Sequence, residues 1–332
     1  MALQSSGYIS LNDVNVELGN SGTANINMGS AAVRGLFGVS SGAITMADGY
    51  GASSVSYWYG DRGVFAGGYA WGNSVTIEYI TIATPSNATD FGDLTVGRTW
   101  IAGCSSTTRG IFGGGNVSSD TIDYITISTT SNASDFGNLT VGRDSLAACS
   151  DSITGVFGGG SSSDTLDYIT IATTGNATDF GNLLSGNATL AACSNGTRGV
   201  FGGGSSNAIE YITIATTGNA SDFGDLTASR DSLSACSGGA RGVFGGGASS
   251  AGNADTIDYI TITSTSNATD FGNLVAGRQR LAACSDDTYG VFGGGYFVVN
   301  TIEYITIATT SNATDFGDLI VSTQELAACS GG

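Results

Sequence analysis

The chain has 332 residues and a formal net charge of −18, from 28 acidic side chains against ten basic ones, all arginine; histidine is absent. The balance argues against binding nucleic acid and disfavours docking on anionic lipid, because no basic patch is concentrated to neutralise phosphates. The missing residue types also remove Ser-His-Asp and Cys-His catalysis, His-ligated metals, Schiff-base lysines and the phosphate-loop lysine. No enzyme activity, cofactor or metal is therefore expected, although carboxylate acid–base chemistry stays formally open. A hydrophobic share of 41% suffices for a core, and 53 glycines with a single proline, Pro85, point to tight turns between short strands.

Residues 1–54 carry no repeat. Ser10–Leu18 and Ser30–Phe37 place apolar residues at roughly helical spacing, with Ser or Asn as caps and glycines at the ends. The pattern predicts two or three short helices, too small for a core of their own. Such a segment must pack on the rest of the chain or on another protein. Its opening, Met1-Ala2-Leu3-Gln4, has neither a basic segment nor an apolar run, so no signal peptide is expected, and no stretch approaches membrane-spanning length.

From residue 55 one pattern recurs six times: GVFGGG, a polar stretch, TIDYITIATT, SNATDFGNL, then RxxLAACS. The opening glycines are Gly63, Gly110, Gly155, Gly199, Gly242 and Gly290, so successive copies lie 43 to 48 residues apart. That spacing marks repeated supersecondary units sharing one continuous core. Thr121–Ile127 alternates apolar and polar residues and is rich in β-branched types, as a half-buried strand is. Leu146–Cys149 is small and apolar, suited to a crowded inner strand. Arg109–Gly115 reads as a strand entering a glycine turn, and a fourth strand is expected around Phe136–Thr140. Four short antiparallel strands in about 45 residues predict an all-β, six-bladed propeller over 55–332. A β-solenoid is the rival, with shorter coils and fewer hairpins. The chain ends on Leu326–Gly332 with no GVFGGG after it, and the first GVF has no LAACS before it. The last strand is thus expected to complete blade one beside Val64–Phe65; alternatively Val55–Tyr59 fills that place.

The order RxxLAACS…GVFGGG…IDY resembles the kelch motif, with its arginine, its double glycine closing a strand and a downstream tyrosine. The kelch tryptophan is missing, and Asn187 and Thr323 replace the arginine in two copies. The resemblance implies a kelch-like propeller. At the head, Ile9–Asn15, Leu18-Gly19, Ile26–Arg34 and Ser41–Met46 resemble a segment that opens many structural proteins of tailed phages, where it precedes tail-fibre or host-contacting modules. The repeat itself is similar to repeats of marine phage virion proteins. Together these imply a non-enzymatic virion component, assembled in the host cytoplasm. It would dock on other virion proteins through residues 1–54, form a homo-oligomer in the particle and display its propeller to a protein, host receptor or glycan. A glycan-binding, lectin-type propeller is the alternative.

What is not repeated is the candidate site. Trp58, Trp71 and Trp100 all lie in or beside the first copy, and the turn after the glycines, polar in copies two to five, reads Tyr69-Ala70-Trp71 in copy one and Tyr296-Phe297-Val298-Val299 in copy six. Ring closure would make these copies neighbours, so an aromatic patch should straddle the seam, either exposed for binding or covered by the N-terminal helices. Repeated features are expected to build the fold. Cys104, Cys149, Cys193, Cys236, Cys284 and Cys329 occupy equivalent places, too far apart for disulfides, and should be free buried thiols. The sequons at Asn87, Asn132, Asn176, Asn219, Asn267 and Asn312 read as turn chemistry. The aspartates before phenylalanine, such as Asp90 with Asp93, read as turn caps, with calcium ligation the alternative. The acid before each tyrosine, Asp123 or Glu210, reads as a solvated strand position.

Overall fold

The computed structural model describes residues 60–116 and 118–331. The expected helical segment 1–54 and Trp58 lie outside the described residues, which are all strand, turn and loop. They form a six-bladed β-propeller of six four-stranded antiparallel sheets, with one added hairpin pairing Ala248–Ser249 with Gly252–Asn253. Blade 2 is typical. Its strands run from the axis outward as Ala102–Ser105, Arg109–Gly113, Thr121–Thr126 and Ser134–Asn138. The innermost strands of all six blades touch in a closed ring.

Closure follows the expectation from the chain end. Ala327–Gly331 pairs with Arg62–Ala66, Val64 lying opposite Cys329, and becomes the inner strand of blade 1. That edge is filled, so residues 55–59 do not supply it. The core is divided into six clusters, each between two adjacent blades, and the cluster of blades 6 and 1 (Phe65, Ile80, Val291, Phe316, Leu326) matches the others.

Both faces of every blade are covered, so alternation along a strand does not mean one wet face. Phe157 of blade 3 packs on Gly113 of blade 2, where a Cβ would lie 2.6 Å from the ring. The cysteines are free and fully buried. Each points at the glycine opening the next blade: a Cβ on Gly110 would lie 2.8 Å from Cys329 Sγ. Burial pushes Cys104 and Cys193 up to about 12. The sequon asparagines do more than turn the chain. Asn132 Oδ1 accepts the N–H of Asp93 across the blade boundary at 3.1 Å, a bond repeated in all six blades. The aspartates before phenylalanine are not turn caps; Asp90 and its equivalents lie exposed within the outer strands.

Candidate functional site

The repeated charges are structural. The acid before each tyrosine is buried, which corrects the solvated reading: Asp123, Asp167, Asp258 and Glu303 are 0% exposed. Blade packing covers the side of the strand that the pattern assigned to water. Arg98 Nη2 meets Asp123 Oδ2 at 2.6 Å, while its Nη1 donates to the carbonyls of Gly114 and Thr121. Arg143–Asp167, Arg230–Asp258 and Arg278–Glu303 repeat the arrangement. Where Asn187 and Thr323 replace arginine, Glu210 and Glu78 instead accept backbone N–H groups from Leu184 and Ile320.

The second carboxylate bond explains why the acid alternates between Asp and Glu. Asp123, Asp167 and Asp258 each take a threonine hydroxyl, from Thr95, Thr140 and Thr227. In the remaining blades the threonine is replaced by Leu184, Val275 or Ile320, and the acid is Glu210, Glu303 or Glu78, long enough to accept the backbone N–H at 2.5 to 2.6 Å, whereas Asp258 meets the Thr227 N–H only at 3.3 Å. Four more arginines, Arg62, Arg109, Arg198 and Arg241, lie over their own blade's tyrosine and donate to a carbonyl of the next blade. Of the nine arginines among the described residues, only Arg280 belongs to neither set.

Arg280 sits at one mouth of the axial channel. The second residue after each RxxL arginine position turns inward there: Trp100, Ser145, Thr189, Ser232, Arg280 and Glu325. All six adopt left-handed backbone, φ 54° to 63°, uncommon for residues other than glycine. A closed ring of main-chain hydrogen bonds holds them. Each N–H donates to the carbonyl of the equivalent residue one blade back, at 2.7 to 3.0 Å. Since the ring needs only backbone, its side chains are free to differ. Three are hydroxyls, on blades 3, 4 and 5. The other three, on blades 6, 1 and 2, are Arg280, Glu325 and Trp100, centred on the seam.

These three form one assembly. Arg280 Nη1 bonds Glu325 Oε1 at 2.7 Å. The guanidinium carbon lies 4.9 Å from the Trp100 ring centroid and 5.0 Å from that of Tyr296, and Tyr296 meets Phe297 at 4.4 Å between centroids. Burial raises the Glu325 carboxyl above the usual range, against the pull of Arg280. The cavity beneath, lined by Trp100, Arg280, Glu325 and the three hydroxyl residues, has a volume of about 70 Å3, and two further cavities of about 100 and 80 Å3 continue it between the inner strands. At the far end, serines close the inner ring, as where Ser150 Oγ donates to Ser105 O at 2.8 Å.

The aromatic turns stand on the mouth side. Tyr69 N donates to Gln324 O and Tyr296 N to Gln279 O, which ties each turn to the residue before Glu325 or Arg280. Trp71 is 86% exposed and Phe297 76%, Tyr69 37%. Trp71 and Phe297 also have left-handed backbone, and at the same distance from the double glycine other blades place Ser118 and Ser162 in that conformation. The turn therefore does not need an aromatic. Of the residues singled out in the sequence, Trp100, Tyr296 and Phe297 are brought together through Arg280; Tyr69 and Trp71 stand on the neighbouring blade. Arg280 and Glu325 were missed. The signal was available as a departure from Ser or Thr two positions after the RxxL arginine. Among the described residues no group of three or more potential ligands could hold a metal ion. No family model matches the chain, and no curated protein is similar to it in sequence.

Proposed function

We propose that this protein is a non-enzymatic structural component of a phage particle, in which residues 1–54 dock on other virion proteins and a kelch-like propeller presents its seam-side mouth to a protein or host surface. The observation that carries this reading is the confinement of individuality: Trp71, Trp100, Arg280, Tyr296, Phe297 and Glu325, none explained by the repeat, gather at one end of the channel. Exposed aromatic groups rimmed by polar residues mark binding surfaces. The resemblance of residues 9–46 to the opening segment of tailed-phage structural proteins supplies the particle, and several copies would be carried on it. The test has two parts. The chain should co-purify with particles, and deletion of residues 1–54 should abolish its incorporation. Particles carrying Trp71→Ser with Phe297→Ser should assemble normally yet lose attachment to the host; unchanged attachment would remove the contact face from this reading.

A further inference from the structure

The mouth is built for a particular class of ligand. From the rim inward, Phe297, Tyr296, Arg280 and Trp100 form a contiguous row, in steps of 4.4, 5.0 and 4.9 Å with the first two rings tilted 43° to each other, that ends over the mouth cavity. Opposite the Trp100–Glu325–Arg280 half stand the three hydroxyl residues Ser145, Thr189 and Ser232. Apolar plates beside a few fixed polar groups suit a ligand that has one apolar face and one polar edge.

We infer that this mouth binds a neutral saccharide chain, its sugar rings laid along the Phe297–Tyr296–Trp100 row and its terminal hydroxyls held by Arg280, Glu325 and the hydroxyl ring. A pyranose has a face of axial C–H groups that packs on an aromatic ring, and an edge of vicinal hydroxyls that pairs with planar carboxylate and guanidinium groups. The competing ligands fit worse. An extended peptide needs free main-chain partners, and at the mouth the six N–H groups are all consumed in the closed ring. A polyanion meets a chain of net charge −18, whose one mouth cation already faces Glu325. Trp71 and Phe297 support the assignment independently. Each keeps an exposed aromatic ring on left-handed backbone where serine meets the turn's requirement in another blade.

The inference rests on the mouth being the contact face, and the experiment separates the two. The full chain is titrated, by calorimetry and tryptophan fluorescence, with neutral oligosaccharides of glucose, galactose, mannose and N-acetylglucosamine, and in parallel with uronic-acid and sulfated oligosaccharides. At least one neutral oligosaccharide should bind, one per chain. Trp71→Ser with Phe297→Ser should weaken it about tenfold or more, and Arg280→Ser with Glu325→Ser should abolish it. These variants install the residue the repeat itself uses, and Trp71 and Phe297 are too exposed for their loss to unfold the chain. No binding to any neutral member, binding to acidic members alone, or binding untouched by the four substitutions overturns the inference. If binding is absent while Trp71→Ser with Phe297→Ser still abolishes host attachment, the saccharide falls and the contact face stands. Saccharide binding with unchanged attachment gives the reverse.

Discussion

The alternation of Asp with Glu beneath the blade arginines yields a double-mutant cycle with a definite sign. In blade 2, Asp123 is fully buried and accepts Thr95 Oγ1 at 2.5 Å and Arg98 Nη2 at 2.6 Å. Blade 6 solves the same problem with Glu303, Val275 and Arg278, the Val275 N–H donating at 2.6 Å. Asp123→Glu alone forces an extra methylene into a closed space, at about 1–3 kcal/mol. Thr95→Val alone leaves a buried carboxylate oxygen without its donor, again about 1–3 kcal/mol. Together they recreate the blade 6 arrangement, with the longer acid reaching the backbone N–H that the lost hydroxyl had replaced. The double variant should therefore fall within about 1 kcal/mol of the parent, a coupling of about 3 kcal/mol between contacting residues. Urea denaturation followed by tryptophan fluorescence reads all four corners of the cycle, and calorimetry should show each single variant lower by about 2–4 °C per kcal/mol. A double variant as unstable as the two losses added together would refute the account of why Thr accompanies Asp and aliphatic residues accompany Glu.

Four further outcomes are expected. Burial raises the Glu78 carboxyl, which has no arginine partner among the described residues, so the stability it provides is complete below its unfolded-state pKa and is lost as pH rises through the higher folded value. Glu78→Gln should then melt above the parent at pH 8, with the gap closing toward pH 4 in calorimetric scans, whereas Asp123→Asn, which strands buried Arg98, should cost about 3–5 kcal/mol. The buried thiols should resist a disulfide reagent in native protein, and all six should react after denaturation; rapid native reaction at Cys104 would contradict its elevated pKa. Removing residues 327–332 strips blade 1 of its inner strand and should abolish the single cooperative transition. A truncated chain that melts like the parent would mean that the last strand does not close the ring.

Much of the architecture is local and repeated, and for that reason was legible in the residues themselves. Six copies of one pattern specify six blades, and β-branched alternation places the strands. The unpaired LAACS at the end and the unpartnered GVF at the start identify the strand that closes blade 1. Equivalent positions for the six cysteines exclude disulfides before any coordinate is known. Burial of Asp123 could not be reached this way, since apolar–polar alternation presumes that one face of a strand meets water, and a propeller covers both. The pairing of Thr95 with Asp123 and of Val275 with Glu303 is written in the copies, but its meaning depends on a buried carboxylate needing a second donor. Arg280, Glu325 and Trp100 stand in three separate copies and share nothing along the chain except their place two residues after the RxxL arginine position. Only ring closure, which sets blades 6, 1 and 2 side by side, and the backbone ring, which leaves the mouth side chains free to differ, make them one site.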